Sequence, residues 1–389
     1  MKIGAKYTLL QSSNGTIKMT SSIRYLASFI ALLFSSTTWA MSVTFINPGK
    51  EGERFWDMVT ETMRAAATDF GIELEVIYAQ RNRVRMAEQG VAVTQRDTPP
   101  EYLILVNEEQ AAEKILLAAS HKQIRTLMLL NDFLPEQRTR VGLPGGIHKN
   151  LLGAITPDNF GAGKRMMQAL HRCAEQSNVQ SPYHFLAIGG DKLTPASIDR
   201  NGGALSVVSH HKNEIKLDRF LYANWNRAEA KALTHSYLQW AERNQVTPTA
   251  IWSANDPIAF GARDALQENG LQAGKDVCMV GLNWSVEALQ LVRSGELLLS
   301  DGGHFLAGAW SMVLLKDYHT RLQQGDDQPI GPVRFQMQSI DATNVDQYLN
   351  RLGDENWGKI DFNRFLLGDS WKKHDYDFSL KHVFNSINH

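Results

Sequence analysis

Short apolar segments alternate with segments of helical apolar spacing through the first part of the chain. The apolar segments have the length and composition of buried strands: SVTFIN at 42–47, LEVIYA at 74–79, YLILVN at 102–107 and TLMLLN at 126–131. Between them, apolar residues recur at helical spacing over 55–70 and 108–121. Strands that alternate with helices predict a parallel sheet whose faces the helices cover.

The same alternation starts again after Pro157. Helical spacing at 166–170 leads into the strand YHFLAIGG at 183–190, and further helices are predicted over 198–208 and 227–240. The remaining predicted strands are RFLYA at 219–223, AIWSAN at 250–255 and VCMVGLNW at 277–284. The sequence therefore predicts an α/β fold of two lobes, each a parallel sheet flanked by helices, with a cleft between them.

No internal repeat or low-complexity linker separates the two halves, so we expect about three short crossings between the lobes. The crossings are predicted near 153–157, 299–303 and 335–342. The N-terminal lobe would then comprise 41–153 and 304–335, and the C-terminal lobe 157–300. The remaining segment, 343–389, is rich in aromatic side chains, and we expect it to pack on the body as a C-terminal extension.

The segment before Met41 has the pattern of a secretory signal. It carries a basic Arg24, an apolar core over 25–34, and small or polar residues up to Ala40. That core is shorter than the roughly 20 residues of a membrane-spanning helix. We expect a signal region at 1–40, with a start at Met19, cleavage after Ala40 and a periplasmic mature protein; an uncleaved anchor is the alternative.

Charge and cysteine content narrow the class of protein. The chain has 40 Lys and Arg against 41 Asp and Glu, a balance that gives no basic surface for nucleic acid, so no nucleic-acid partner is expected. Its two cysteines, Cys173 and Cys278, both lie in apolar patterns and are expected to pack in the core. A bridge between them stays open, because sequence does not give their separation.

Polar residues follow three of the predicted strands. Asn255 and Asp256 come directly after one strand, Asn131 and Asp132 after another, and Asn283 after a third. Open α/β sheets bind ligands at the carboxyl ends of their strands. Amides and carboxylates both suit a ligand rich in hydroxyl groups, so we predict that these five residues bind such a ligand.

Arg200 completes the predicted polar set, because it lies near the start of a helix that follows Pro195, where its guanidinium can present several donors. The alternative for Arg200 is a surface ion pair with Asp199 or another acid. The alternative for Asp256 is capping of the helix that opens at Pro257.

A ring that carries hydroxyl groups also has apolar C–H faces, which aromatic side chains can contact from above and below. We predict that Trp56 and Trp284 serve this role. Trp225 is a weaker candidate, because a tryptophan near an apolar face is more often part of the core. His304 lies near a predicted crossing and could reach the cleft, although a lone histidine is more often structural.

Six motifs occur in an order typical of one family: SVTFINPG followed by Phe55 and Trp56, LLNDF at 129–133, TPDNFGAG at 156–163, SIDRNGG at 197–203, SANDPIAFGA at 253–262 and GLNWSVEAL at 281–289. Through them the mature chain resembles the periplasmic sugar-binding proteins of the type I fold, which share their body with the ligand-binding half of lactose-repressor-type regulators. The loop 143–150 and the tail after 349 lie outside the resemblance.

The resemblance implies capture of a sugar or sugar-like molecule by hinge closure and its delivery to an ATP-driven (ABC-type) transporter permease. The alternative is a partner of a membrane sensor, as in the related autoinducer-binding proteins. A repressor is disfavoured by the export signal and by the lack of a helix-turn-helix motif ahead of Ser42.

An enzyme is not expected. The sequence contains no HExxH, GxSxG or CxxC motif and no phosphate-binding loop, so we expect no metal and no cofactor. A glycosidase would need two carboxylates across one bond, and Asp132 with Asp256 is the pair that could be proposed.

Overall fold

The computed structural model describes residues 41–371 and 375–387. The predicted signal region at 1–40 lies outside the described residues. Within them, no helix combines the length and the apolar character needed to cross a membrane.

The described residues form twelve strands and twelve α-helices. The strands are β1 (Ser42–Asn47), β2 (Glu73–Tyr78), β3 (Tyr102–Leu105), β4 (Arg125–Leu129), β5 (Leu151–Pro157), β6 (Tyr183–Gly189), β7 (Ile215–Tyr222), β8 (Pro248–Ser253), β9 (Cys278–Leu282), β10 (Leu299–Gly302), β11 (Gly331–Phe335) and β12 (Gln338–Asp341). The helices are α1 (Arg54–Phe70), α2 (Arg83–Thr94), α3 (Ala112–His121), α4 (Pro135–Val141), α5 (Asn159–Glu175), α6 (Pro195–His210), α7 (Arg227–Arg243), α8 (Asp256–Glu268), α9 (Val286–Ser294), α10 (Ala307–Gln323), α11 (Val345–Leu352) and α12 (Leu380–Asn385).

The strands form two sheets of six. The first sheet has the order β11-β5-β4-β3-β1-β2, and the second has the order β12-β10-β9-β8-β6-β7. Neighbouring strands are parallel except β10 and β12, which are antiparallel. Central strands such as β3 and β9 are buried along their whole length, because helices cover both faces. The predicted two-lobed α/β fold is confirmed.

Most residues of the three predicted crossings belong to strands instead. Residues 153–157 lie in β5, which pairs with β4 and with β11, so the chain leaves the first sheet only after Pro157. A Cβ on Gly153 would lie 2.1 Å from the carbonyl oxygen of Gly331, which explains a glycine in this strand. Likewise β10 occupies 299–302 and β12 occupies 338–341. Because β11 and β12 come late in the chain, local pattern alone did not reveal these pairings.

Cys173 of α5 and Cys278 of β9 form a disulfide, with their Cα atoms 6.3 Å apart. The bridge that the sequence left open is therefore formed, and both cysteines also pack in or against the core, as expected. Packing of α5 against β9 brings together two positions separated by 105 residues, which the sequence could not show. In the chain-entropy model, a bridge closing a loop of about a hundred residues stabilises the fold by about 4 to 5 kcal/mol.

The C-terminal extension packs on helices of the first lobe. Its buried rings surround Trp310 of α10, whose ring centroid lies 4.6 Å from that of Phe365 and 4.6 Å from that of Phe378. The backbone N–H of Phe362 donates to the Asp69 carboxylate of α1 at 2.9 Å. The N–H of Leu367 likewise donates to the buried Asp317 of α10 at 2.9 Å.

Candidate ligand-binding cleft

A cavity of about 400 Å³ lies between the carboxyl ends of the two sheets. Both lobes and the C-terminal extension contribute to its wall. A volume of this size suits a small molecule. Five of the eight predicted site residues line it, namely Trp56, Asn131, Arg200, Asn255 and Asn283.

Arg200 is the buried cation of this cavity, with 2% of its surface exposed. Its Nη1 donates to the carbonyl of Ala254 at 2.6 Å, and its Nη2 donates to Oδ1 of Asn159 at 2.6 Å. Both partners are neutral, so the predicted alternative of a surface ion pair with Asp199 does not describe this arginine. Burial lowers the pKa of Arg200 to about 10, which still leaves it charged at neutral pH.

Asn131 connects the two lobes. Its Oδ1 accepts a hydrogen bond from the backbone N–H of Ala196, in the first turn of α6, at 2.9 Å. Its Nδ2 donates to Oε2 of Glu108 at 3.3 Å. A second bond between the lobes joins the N–H of Glu109 to Oγ1 of Thr194 at 3.4 Å. The lobes are thus in direct contact at one side of the cavity.

A charged network on the first lobe was missed by the sequence analysis. Nη1 of Arg81 lies 2.5 Å from Oε1 of Glu108, and Arg81 also pairs with Glu53; all three residues line the cavity. Burial raises the pKa of Glu108 to about 7, against the opposing charge of Arg81. Burial by itself would lower the pKa of Arg81. The interactions with Glu108 and Glu53 together have the larger effect, so the pKa of Arg81 is raised. Arg81 follows β2, so the rule of polar residues at strand ends could have found it.

Aromatic rings line both sides of the cavity. Phe55 packs edge-on against Trp56 with centroids 5.1 Å apart, and stacks on His304 at 4.5 Å. On the second lobe, the guanidinium of Arg200 lies 5.7 Å from the ring centroid of Trp225. Trp225 and His304, the two weaker candidates, therefore both belong to the wall.

Three buried polar atoms of wall residues have no hydrogen-bond partner within the described part of the chain: Trp56 Nε1, Arg200 Nε and His304 Nδ1. Buried polar atoms are almost always paired, so such atoms around one cavity point to a polar ligand. Burial, and then the nearby charge of Arg200, holds the pKa of His304 well below its usual value. His304 is therefore neutral and has one ring nitrogen that accepts.

Asp256, predicted as a ligand contact, lies beneath the cavity wall and not in it. It is fully buried, and its carboxylate accepts hydrogen bonds from the N–H of Ser285 at 3.0 Å and from the hydroxyls of Ser285 at 2.8 Å and Ser300 at 3.0 Å. It is not the helix cap either, because Oδ1 of Asn255 accepts from the N–H of Ile258 at 2.9 Å. Asn255 therefore combines capping with a place in the wall, whereas Asp256 joins α8 to the second sheet.

Asp132 and Trp284, also predicted as contacts, are likewise absent from the wall. Asp132 forms a 2.5 Å ion pair with Arg138 of α4 and accepts from the N–H of Phe133. Trp284 donates through Nε1 to the carbonyl of Gln338 at 3.1 Å, which holds the third crossing against the second sheet. A Cβ on Gly303 would lie 2.7 Å from the Trp284 ring, so the second crossing requires glycine there.

The C-terminal extension supplies one residue of the wall. Glu355 lies just after α11 and pairs with Arg54 of α1 at 2.9 Å; both residues line the cavity. Arg54 also forms a 2.8 Å ion pair with Glu61. Glu61 lies outside the wall. The sequence analysis missed Glu355, because its motif lies in the tail that the family resemblance did not cover.

Two lobes of helix-covered parallel sheet around a polar and aromatic cleft define a two-lobed solute-binding protein. Residues 43–319 match the model of the periplasmic binding protein domain. The chain belongs to this family of periplasmic binding proteins.

Individual relatives agree with this family. The chain is similar to the crystal structure of a periplasmic sugar-binding protein from Pseudomonas fluorescens, with 30% identity, a TM-score of 0.76, and coverage of 88% of this chain and 99% of that one. It is 25% identical over 142 residues to the galactofuranose-binding protein YtfQ of Escherichia coli (strain K12), a match that spans 36% of this chain and 43% of YtfQ. The arabinose-binding component from Shewanella sp. ANA-3 shares the fold, with 18% identity, a TM-score of 0.68, and coverage of 86% of this chain and 99% of that one.

Proposed function

We propose that the protein binds a sugar or sugar-like molecule in the cavity between its lobes. The observation that carries this proposal is the set of buried, unpartnered polar atoms at the described wall, Trp56 Nε1, Arg200 Nε and His304 Nδ1. Two are donors and the third is an acceptor when His304 is neutral in the tautomer that protonates Nε2. Hydroxyl groups both donate and accept, so a polyhydroxylated ligand satisfies all three.

The remaining wall suits the apolar faces of a sugar ring. Phe55, Trp56 and Trp225 supply aromatic surface, while Asn131, Asn255 and Asn283 supply amides. The relatives from Pseudomonas fluorescens and Escherichia coli carry sugar binding in their names, which supports the same ligand class. The carboxylates of a possible glycosidase pair, Asp132 and Asp256, are both outside the wall and bonded to protein groups, which favours binding over hydrolysis.

Ligand capture would act through closure of the lobes. The bonds from Ala196 to Asn131 and from Glu109 to Thr194 form only when the lobes are together. A ligand that contacts Arg200 on one lobe and Trp56 on the other stabilises this closed arrangement. The closed surface is then recognised by a membrane partner, which we propose to be the permease of an ATP-driven transporter.

Export to the periplasm is part of the proposal, with the mature chain beginning at Met41. Mass spectrometry of the protein from a periplasmic fraction should find that N-terminus. An intact segment before Ala40 on membrane-bound protein would contradict the proposal of cleavage. Co-purification with a permease supports transport, whereas co-purification with a sensor kinase replaces transport with signalling.

A thermal-shift screen tests the ligand class. Purified mature protein is heated with hexoses, pentoses, polyols and furanose sugars, one at a time. A ligand that binds only the folded state adds about 2.7 kcal/mol to the apparent stability at a hundredfold excess over its Kd. Absence of a shift with every sugar and sugar-like compound contradicts the proposed function.

A further inference from the structure

Two histidines and one glutamate form a cluster on the second lobe, outside the cleft. Nε2 of His171 lies 2.7 Å from Oε2 of Glu214, and Nδ1 of His211 lies 3.6 Å from the same oxygen. The two imidazole rings are in contact, with centroids 4.2 Å apart. One ligand atom from each residue fits within 4.8 Å of the others.

The fold holds this cluster in place. His171 is buried on the last part of α5, His211 directly follows α6, and Glu214 directly precedes β7. The turn between the last two is fixed, because the N–H of Glu214 donates to the carbonyl of His211 at 2.9 Å, and the N–H of Tyr183 donates to the carbonyl of Glu214 at 2.7 Å. The cluster lies at the amino ends of β6 and β7, the opposite edge of the sheet from the cleft.

We propose that His171, His211 and Glu214 bind a divalent transition metal, with Zn²⁺ as the best match. Imidazole nitrogen and carboxylate oxygen are ordinary zinc ligands at about 2.0 to 2.2 Å, which places tetrahedral ligand atoms about 3.4 Å apart. The observed separations need only small side-chain rotations to reach this geometry. Exposed His210, whose ring centroid is 5.0 Å from that of His211, or a water molecule completes the coordination.

A histidine–glutamate hydrogen bond alone does not account for the cluster. His235 and Glu268 show such a bond at 2.8 Å, and their further neighbours are Lys231, 2.6 Å from Glu268, and the amide of Asn269. A cation and an amide donor complete that pair without a metal. At Glu214 the second neighbour is instead another imidazole, a group that binds metal when neutral.

The sequence analysis expected no metal because it found no HExxH or CxxC motif, and the positions 171, 211 and 214 form neither of these patterns. His211 and Glu214 are three residues apart, but His171 reaches them only through the packing of α5 beside α6. A metal here would fasten the ends of these two helices to the edge of the second sheet. It would stabilise the folded lobe without entering the sugar site.

Calorimetric titration with ZnCl₂ tests the proposal on mature protein that carries no histidine tag and has been cleared of metal with EDTA. We expect one saturable site with a Kd of about ten micromolar or tighter. His211→Gln should weaken zinc binding at least about tenfold, because even the mutation of a residue that only hydrogen-bonds to a metal ligand costs about that much affinity. The matched control, His235→Gln, should bind zinc as the parent protein does.

Glu214→Gln provides a second variant at an exposed position, and melting curves without metal verify that each variant is folded. Zinc should raise the melting temperature of the parent and of His235→Gln, but not of His211→Gln or Glu214→Gln. Absence of a saturable site in the parent, or unchanged binding in both cluster variants, overturns the proposal. Sugar-induced thermal shifts in the metal-free parent are a separate readout, so the metal site and the proposed function fail independently.

Discussion

The guanidinium of Arg200 lies over the ring of Trp225 and donates two hydrogen bonds to neutral protein groups. The cation is thus held in place by partners that do not cancel its charge. Its Nε has no hydrogen-bond partner within the described part of the chain. A buried arginine with this pattern is expected to matter more for binding than for folding.

Arg200→Ala should weaken ligand binding by about 1.5 to 3 kcal/mol, roughly tenfold to more than a hundredfold, because a charged hydrogen bond is lost. Calorimetric titration with the sugar found in the thermal screen measures this change. Arg219→Ala is a matched control, since Arg219 lies 5.0 Å from the ring centroid of Trp240 outside the cavity wall. Equal affinity in both variants would contradict the role of Arg200.

Asn131→Ala should reduce affinity by removing one contact between the closed lobes. A typical hydrogen bond contributes about 0.5 to 1.5 kcal/mol, so a loss of about two- to twelvefold is expected. Small-angle X-ray scattering should show less compaction on ligand addition at a given ligand concentration. Asn226→Ala is the control, because Asn226 caps α7 and lies outside the wall. A variant at 131 that closes and binds like the parent would disprove this contribution to closure.

Asp256→Asn should change the pH dependence of stability and leave sugar affinity near that of the parent. Burial raises the pKa of Asp256 to about 6, above its ordinary value of 3.8. Between these two pKa values the folded state therefore holds a proton that the unfolded state has released. The contribution of this carboxyl group to the free energy of unfolding falls as pH rises from about 4 to about 6.

Urea denaturation at pH 4, 5, 6 and 7 measures this effect as the difference between variant and parent. The free energy of unfolding of Asp256→Asn, relative to the parent, should rise by about 3 kcal/mol at most across that range. A constant difference from pH 4 to pH 7 would contradict the raised pKa. A large loss of sugar affinity would instead return Asp256 to the ligand contacts.

Cys173→Ser should lower the free energy of unfolding by about 2 to 5 kcal/mol, because the unfolded chain is no longer cross-linked. Denaturation curves with and without dithiothreitol measure this loss. The reductant should destabilise the parent and have little further effect on a variant with both Cys173 and Cys278 replaced by serine. If reduction of the unfolded parent leaves its denaturation curve unchanged, the bridge is contradicted.

Glu355→Gln should alter ligand affinity with little effect on folding, since its ion pair with Arg54 is partly exposed and such pairs contribute at most about 1 kcal/mol. Glu61→Gln is the matched control, because Glu61 binds the same arginine from outside the wall. Titration of both variants separates the two positions. Identical affinities for both would remove the C-terminal extension from the ligand site.

The fold was predicted from the sequence more completely than the site, and the reasons are physical. The strand β1 was located without error, because its apolar run ends at the turn-forming residues Pro48 and Gly49. Asn131, Asn255 and Asn283 were found at the wall, because parallel strands end at a common edge. Asp256 lies outside the wall because one step along the chain, from the cap to the first helical residue, directs its side chain from the cavity to the sheet beneath it.

The residues that were missed depend on long-range packing. Glu355 reaches the cavity only because the extension wraps over α1 and α10. Glu108 looked like part of an ordinary helix start, and its burial beside Arg81 follows from the meeting of two separate loops. Neither relationship has a signature within a short window of sequence.

The late position of β11, β12 and the C-terminal rings affects the order in which the protein can fold. The first sheet lacks its edge strand until residue 335 has been made, and Trp310 lacks its covering rings until Phe378 has been made. The first sheet is therefore complete only after residue 335 has been made, and the second only after residue 341. Each sheet can therefore close only when most of the polypeptide has been synthesised.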